Sequence, residues 1–467
     1  MRDATANSYQ DRKEMQALPF ILSFITIRPE RFGGIIFNPY LGIEMNLDHV
    51  EIYVASFCNG NNSMSRIEES IKEYFDLSPD DCRDRVSSTI KKIRDIHALT
   101  FLEARRSSEP ALPKIPSLTN CGLHLSAPKT VIWDTTYACN LSCPHCLTNS
   151  GFPTSTELDT DKAFRLIDIL SNAKIFSLTL SGGEPLVRPD ILALIKKISQ
   201  TKMRFDIVTN GVDISDEIMG GLKNSRIFDI QMSIDGIGKD HDRFRGHKGA
   251  FDAACQNVQR LKDNGIAVSI STTVTKKNVG SLDRLVDLAL ELDCSGFRAI
   301  PFIPIGRGRE NRNDLKLDLQ DLLLFTQRLV DRHEELLGKL RISVETCYSF
   351  LLKPPPEKIL SNGSMGCSAG YDTLSVGADG TAYPCSFLHD FPLGNLLTES
   401  FSHLWNRSPI LNALRSLQKF NMKESCKSCP YSPNLCRGGC RAAAHLEYGD
   451  FCSSDPFCFY HLRNAEN

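Results

Sequence analysis

Residues 137–149 read YACNLSCPHCLTN, with Cys139, Cys143 and Cys146 separated by three and then two residues. The run TVIWDTTYA leads into this stretch and, being rich in β-branched and aromatic residues, reads as a strand. A structural zinc ion takes four protein ligands. An iron–sulfur cube also takes four, one thiolate on each iron. A cube held by only three thiolates therefore keeps one iron open to another molecule. The competing reading is three buried thiols, or a zinc site completed by His145 or by a distant cysteine.

Outward from this loop, strand and helix patterns alternate over residues 129–346. The strands are TVIWDTTYA, IFSLTLSG, FDIVTNG, FDIQMSID, IAVSISTTV and GFRAIPFIP. Helical spacing lies between them, as in Ala163, Leu166, Ile167 and Leu170, with Thr160 read as the N-cap. Six such βα units predict an α/β fold, a partial (β/α)6 TIM-like barrel with a parallel sheet buried on both faces. Chemistry on barrels of this kind sits at the C-terminal ends of the strands. The cysteine loop follows the first strand and Gly182-Gly183-Glu184-Pro185 ends the second, so both fall on that rim.

The 467 residues are too many for one ordinary domain. Apolar residues at 41 % and charged residues at 24 % are the balance of a globular protein with a real core, and a net charge of −2 makes no case for nucleic acid or an anionic membrane. The polar start has no signal-peptide pattern, and ALPFILSFITI at 17–27 is too short to span a bilayer and reads as a strand. A cytoplasmic protein without a membrane partner is expected. In that compartment 17 cysteines point to metal rather than disulfides.

The CxxxCxxC spacing resembles that of the radical S-adenosylmethionine (SAM) enzymes. The resemblance implies a 4Fe–4S cluster on Cys139, Cys143 and Cys146 whose open iron binds SAM. Gly182, Gly183 and Glu184 match that family's GGEP motif at the SAM ammonium, where glycine permits close approach. Ser233 and Arg245 match its carboxylate-binding pair, a task suited to the guanidinium fork. Asn210, in TNG, is placed near the ribose, although an Asn-Gly turn accounts for it equally well.

From residue 347 the chain is cysteine-rich. CSAGYDTLSVGADGTAYPC, followed by Cys426, Cys429, Cys436 and Cys440 and then GDFCSSDPFC, resembles the SPASM domain, which implies two auxiliary 4Fe–4S clusters. By that resemblance Cys426, Cys429, Cys436 and Cys458 hold one cluster, with Cys452 competing for the last place. Cys367, Cys385 and Cys440 hold the other, with Cys347 as candidate fourth ligand. Taken alone, the same cysteines also suit a zinc ribbon. Cys58, Cys82, Cys121, Cys255 and Cys294 read as buried small apolar residues, and His241 and His389 as structural.

Residues 18–105 order as a hairpin around Asn38-Pro39, three helices and a closing strand, with 106–128 as a linker and 347–467 as the SPASM region. The helix from Pro79 is capped by Ser78 and lines up Val86, Ile90, Ile93 and Ile96. This order resembles the PqqD-like winged helix that binds the leader of ribosomally made peptides as an added strand. A DNA-binding winged helix is disfavoured, since Glu68, Glu69, Glu73, Asp80, Asp81 and Asp84 offset Lys91, Lys92 and Arg94. The resemblances together imply an oxidoreductase that cleaves SAM to a 5′-deoxyadenosyl radical and modifies or crosslinks a precursor peptide. A flavodoxin- or ferredoxin-type protein would supply electrons. The alternatives are a tetrapyrrole or other small-molecule substrate, a sulfatase-type protein substrate, or a zinc-stabilised DNA-binding regulator.

Overall fold

The computed structural model describes residues 18–102, 124–344, 366–417, 421–431 and 436–458. Cys121, Cys347 and most of the expected linker lie outside the described residues. The chain divides into two compact units that meet in sequence between Ser126 and Ala127.

In the first unit, β1 (Leu18–Ile21) pairs antiparallel with β5 (Leu99–Leu102), while β2 (Thr26–Glu30), β3 (Gly33–Asn38) and β4 (Ile43–Leu47) form an antiparallel sheet in that order. The run expected as one strand at 17–27 is thus two. A turn closed by Ile25 N–H on Leu22 O, 3.0 Å, sends its halves to different sheets. The Asn38 side-chain oxygen accepts from Tyr40 N–H at 3.0 Å and shapes the β3–β4 turn.

Three helices follow, His49–Phe57, Met64–Phe75 and Pro79–Asp95, capped by Asp48, Ser63 and Ser78. Asp48 and Glu51 form a reciprocal capping box. Ile52, Ile67, Ile71, Val86, Ile90 and Ile93 are buried together, as the helical spacing required.

The second unit is organised by one sheet. β6 (Thr130–Thr136), β7 (Ser177–Gly182), β8 (Arg204–Thr209), β9 (Ile227–Ser233), β10 (Val268–Val274) and β11 (Gly296–Pro301) are the six expected strands, all parallel and in sequence order. β12 (Arg341–Val344) extends one edge beyond β11. On the other edge the cysteine-rich region contributes β13 (Thr373–Val376), parallel to β6, then β14 (Thr381–Tyr383) and β15 (Gly394–Asn395). The C-terminal region thus continues the barrel sheet.

Register separates the two faces of this sheet. Leu374, Val131, Leu178 and Phe205 lie side by side across four strands, as do Val376, Trp133, Leu180, Ile207 and Ile230 across five. All are buried against the helices. The opposite, lumen-facing side carries Asp134, Ser181, Asp206, Asp229, Gln231, Ser233, Ser271 and Arg298. The strands are largely buried on both faces, as expected, but they alternate apolar and polar: one side is a hydrocarbon core and the other buries polar side chains such as Asp134, Asp206, Asp229 and Ser271.

The helix expected to be capped by Thr160 is capped by Asp159, whose extended backbone (ψ 172°) lets its side chain accept from Lys162 N–H at 2.9 Å. Thr160 is the first helical residue, and its hydroxyl donates to Asp190 at 2.7 Å. Among the described residues no helix is long and apolar enough to cross a membrane.

Neighbouring substitutions on β7 should separate the faces. Leu180→Ala empties a buried site and should cost about 2–5 kcal/mol of unfolding free energy. Ser181→Ala should cost about 0.5 kcal/mol or less. Denaturant titrations giving equal losses would contradict a one-sided core.

Candidate functional site

The cysteine loop leaves the C-terminal end of β6 and is closed on itself, with Cys139 N–H donating to Gly151 O and Gly151 N–H to Tyr137 O, each 3.0 Å. The Glu157 carboxylate accepts from Tyr137 N–H (2.8 Å), the Thr136 hydroxyl (2.7 Å) and Thr154 N–H (3.0 Å), holding both ends. Arg307, beyond β11, clamps the middle. Its guanidinium donates to Cys143 O at 2.9 Å and to Ser150 O, and its N–H to Cys146 O at 3.0 Å. The Asn311 side-chain amide donates to Pro144 O at 3.1 Å. Sequence reasoning missed Glu157, Arg307 and Asn311. Only the position of GRGR after a barrel strand could have singled out Arg307.

Each of the three sulfurs has a polar neighbour. Leu141 N–H reaches Cys139 Sγ and Ser150 N–H reaches Cys146 Sγ, each at 3.4 Å, and Arg245 Nη1 lies 3.9 Å from Cys143 Sγ. Burial, against the Leu141 N–H and with Glu184 and the other two sulfurs adding, pushes the Cys139 thiol up to about 11. Thiolates this close together call for positive charge, which bound iron would supply. Among the described residues no three His, Cys, Asp or Glu side chains converge closely enough to hold a single metal ion. A cube spreads its thiolates over separate irons, so the loop suits that larger centre.

His145, the alternative ligand, is occupied elsewhere. Its ring stacks on Phe244 at 4.4 Å, and its Nε2 lies 3.5 Å from the Asp235 carboxylate. Burial, helped by Arg245 and Arg307, lowers its pKa well below the ordinary value and keeps the ring neutral.

Gly182 and Gly183 are required by geometry. Gly182 has φ +121°, and a Cβ there would strike Thr136 O, while one on Gly183 would strike Ala138 O. Glu184 is buried, its carboxylate accepting from Asn210 N–H (2.7 Å), the Thr209 hydroxyl (2.8 Å) and Leu186 N–H (3.1 Å). Burial raises its pKa against these bonds and the nearby Arg245. The Asn210 side chain makes the turn expected of Asn-Gly through Val212 N–H (2.9 Å), and its amide donates to Asn140 in the cysteine loop at 2.8 Å. Arg245 pairs with Asp235 at 2.6 Å beside Cys143. Ser233 ends β9 beside Ser271 on β10, half-buried. These residues gather at one end of the sheet, tied to the loop.

In the C-terminal region, Cys426 Sγ lies 3.4 Å from the Ser454 hydroxyl, and Cys436 Sγ accepts from Gly439 N–H at 3.1 Å. Asp455 accepts from Cys440 N–H and from Phe457 N–H, and its carbonyl accepts from Cys458 N–H at 3.0 Å. Cys426, Cys440 and Cys458 therefore meet the turn 453–458, Cys436 is bonded to Gly439 next to Cys440, and Cys429 lies one turn beyond Cys426. Cys367 precedes β13 and Cys385 follows β14, with Arg437 donating to Cys367 O at 2.9 Å. Cys58, Cys82 and Cys294 are buried and Cys255 partly so, as expected of structural thiols. His241 is also structural, its Nδ1 accepting from Asp235 N–H at 3.1 Å.

Comparison with known proteins agrees with this chemistry. Residues 133–289 match the family model of the radical SAM superfamily, and 367–430 that of SPASM, an iron–sulfur cluster-binding domain. Mycofactocin maturase MftC of Mycobacterium tuberculosis strain H37Rv is 34 % identical over 340 residues, 72 % of this chain and 83 % of its own. The AdoMet-dependent heme synthase of Methanosarcina barkeri is 29 % identical over 348 residues, 72 % of this chain and 97 % of its own. The structure of Streptococcus suis SuiB bound to precursor peptide SuiA superposes with a TM-score of 0.72 at 20 % identity, covering 94 % of this chain and 99 % of that one. Cysteine loop, GGEP turn, sheet and relatives together identify the chain as a member of the radical SAM superfamily with a SPASM domain, an enzyme of 4Fe–4S clusters and S-adenosylmethionine.

Proposed function

We propose that this enzyme is an oxidoreductase that modifies or crosslinks a ribosomally made precursor peptide, whose leader is held by the N-terminal unit. The observation that carries this reading is the position of β4 as the outer strand of its sheet. That strand pairs only with β3 among the described residues, and it exposes Ile43, Glu44 and Asn46 along its length. Exposed Tyr40 and Leu41 adjoin it. An exposed edge is a template for strand addition, which is how an extended leader would bind. The maturase relative and the fold shared with a peptide-bound enzyme support the same substrate class.

Cys139, Cys143 and Cys146 would hold the SAM-binding cluster, with Gly182, Gly183, Glu184, Ser233, Asn210 and Arg245 around SAM. Bound there, cluster and SAM would supply the radical chemistry that removes a hydrogen atom from an unactivated carbon. Arg307 and Glu157 hold the loop in place. Gly182 and Gly183 let the chain pass close to the β6 end. The polar lumen presents Ser233, Ser271, Gln231 and Arg298 toward a substrate while the opposite face keeps the barrel folded. The candidate auxiliary ligands are Cys426, Cys429, Cys436 and Cys458 for one cluster. Cys367, Cys385 and Cys440 would serve the other, with Cys347 as a further candidate. Cys458 is favoured over Cys452, whose thiol has the Asp450 carboxylate beside it. A flavodoxin- or ferredoxin-type donor would deliver electrons.

A second reading, a tetrapyrrole substrate, is favoured by the heme synthase relative and by the Fe-coproporphyrin III synthase of the same organism, 30 % identical over 356 residues. It leaves the outer β4 edge without a task.

Anaerobic co-expression with a candidate small precursor peptide should yield a peptide lighter by two hydrogens and 5′-deoxyadenosine, both abolished by Cys139→Ala. SAM cleavage beside an unchanged peptide would sink the peptide reading. In the full-length protein, Ile43→Asp should weaken binding of that peptide's leader about tenfold by fluorescence anisotropy, roughly 1.4 kcal/mol, with thermal stability unchanged. Unaltered affinity would remove β4 from the binding site.

A further inference from the structure

Asp134 is an ionisable residue that the cofactor site leaves without a role. Its register partner is Ser181, which puts it on the lumen side of β6, opposite Trp133. It is 1 % exposed, and its Oδ2 has no hydrogen-bond partner among the described residues. The group facing it is His389, which follows β14 in the SPASM region. His389 Nε2 lies 3.6 Å from Asp134 Oδ2 and likewise has no hydrogen-bond partner. The imidazole stacks on Tyr383 at 4.4 Å with planes 18° apart, and its side chain is 25 % exposed. The carboxyl oxygen and Nε2 are both sealed from solvent, and the ring's exposure lies away from their contact.

The surroundings favour a neutral ring beside a carboxyl that titrates near neutrality. Burial pushes Asp134 up to about 7. Burial, against the pull of Asp390 and Asp379, brings His389 down to about 4. Tyr137 and Tyr383 also face the pair. Burial first, with Asp134 among the neighbouring acids, raises both phenols, so neither ionises near neutral pH. Asp390 is itself paired with Arg309.

We propose that His389 and Asp134 form the proton-accepting pair of the oxidation, His389 taking a proton from the substrate and Asp134 positioning the ring and balancing its charge. This rests on the peptide-oxidation reading above. Loss of two hydrogens divides into one hydrogen atom, taken by the deoxyadenosyl radical, and one proton plus one electron. As the substrate radical forms its new bond, the second C–H bond breaks, its proton goes to Nδ1 of His389, the ring nitrogen on the side away from Asp134, and the electron leaves to an auxiliary iron–sulfur centre. Aspartate beside histidine is the usual means of stabilising the imidazolium that results.

The test uses reconstituted holoenzyme with SAM, dithionite and the candidate precursor peptide, measuring 5′-deoxyadenosine and dehydrogenated peptide across neutral pH. Wild-type enzyme should form the two in step. In His389→Ala and His389→Gln, 5′-deoxyadenosine should continue to accumulate while product per 5′-deoxyadenosine falls about 100-fold, the ordinary worth of a positioned base. Asp134→Asn should shift the pH profile of product formation. Wild-type ratios and profiles in all three variants would overturn the inference and leave the peptide assignment standing.

Peptide untouched by wild-type enzyme would instead overturn that assignment, and melting of the holoenzyme then decides on the pair. Because burial raises the Asp134 pKa in the folded state, Asp134 favours folding less as pH rises from about 4 through about 7. The Tm of Asp134→Asn relative to wild type should climb over that window. A flat difference would show that the pair shares no titrating proton and end the proposal.

Discussion

Three ionisable sulfurs on one short, partly buried loop set the terms for the rest of this protein. Thiolates repel one another and lose hydration when buried, so the loop survives only if something else holds its backbone and something positive meets its sulfurs. The chain meets the first condition with fixed charges aimed at peptide groups. Glu157 takes the N–H groups at the entrance and Arg307 the carbonyls in the middle. Arg245, paired with Asp235, brings a cation to Cys143. Glu184 spends its carboxylate on the ends of β7 and β8, which keeps the neighbouring strand ends at a constant distance from the loop.

These ties work because the sheet beneath them is rigid on one side and polar on the other. The apolar face from Leu374 to Ile230 packs against the helices and carries the stability, since burying hydrocarbon is the dominant favourable term in folding. The lumen face is then free to carry serines, carboxylates and arginines. β13 joins the cysteine-rich region to this sheet beside β6, so the segment carrying Cys385 and His389 is fixed against the strand that leads into the cysteine loop. The cysteine loop and the SPASM region thus share one sheet.

Much was legible in the sequence because it depended on short spacings. CxxxCxxC, GGEP and the alternation of strands with helices are local patterns, and local geometry follows from them. The six barrel strands, the Ser78 cap with Pro79 and the buried Val86, Ile90 and Ile93 face formed as read. The misreadings were also local. A single apolar run at 17–27 conceals a turn, because apolar residues serve either side of it equally well. Asp159 and Thr160 are both good caps, and only the extended backbone at Asp159 separates them.

The sequence by itself determined the cofactor chemistry, because three cysteines at that spacing behind a strand present the ligands wherever the rest of the chain goes. Only the tertiary structure decided who holds and faces that site. Arg307 lies 164 residues from Cys143, and His389 lies far along the chain from Asp134, so no spacing rule links either pair. Parallel pairing of β13 with β6 brings the distant segment alongside. It is this long-range pairing, stabilised by buried hydrocarbon on the far face of the sheet, that turns a cofactor motif into a particular active site.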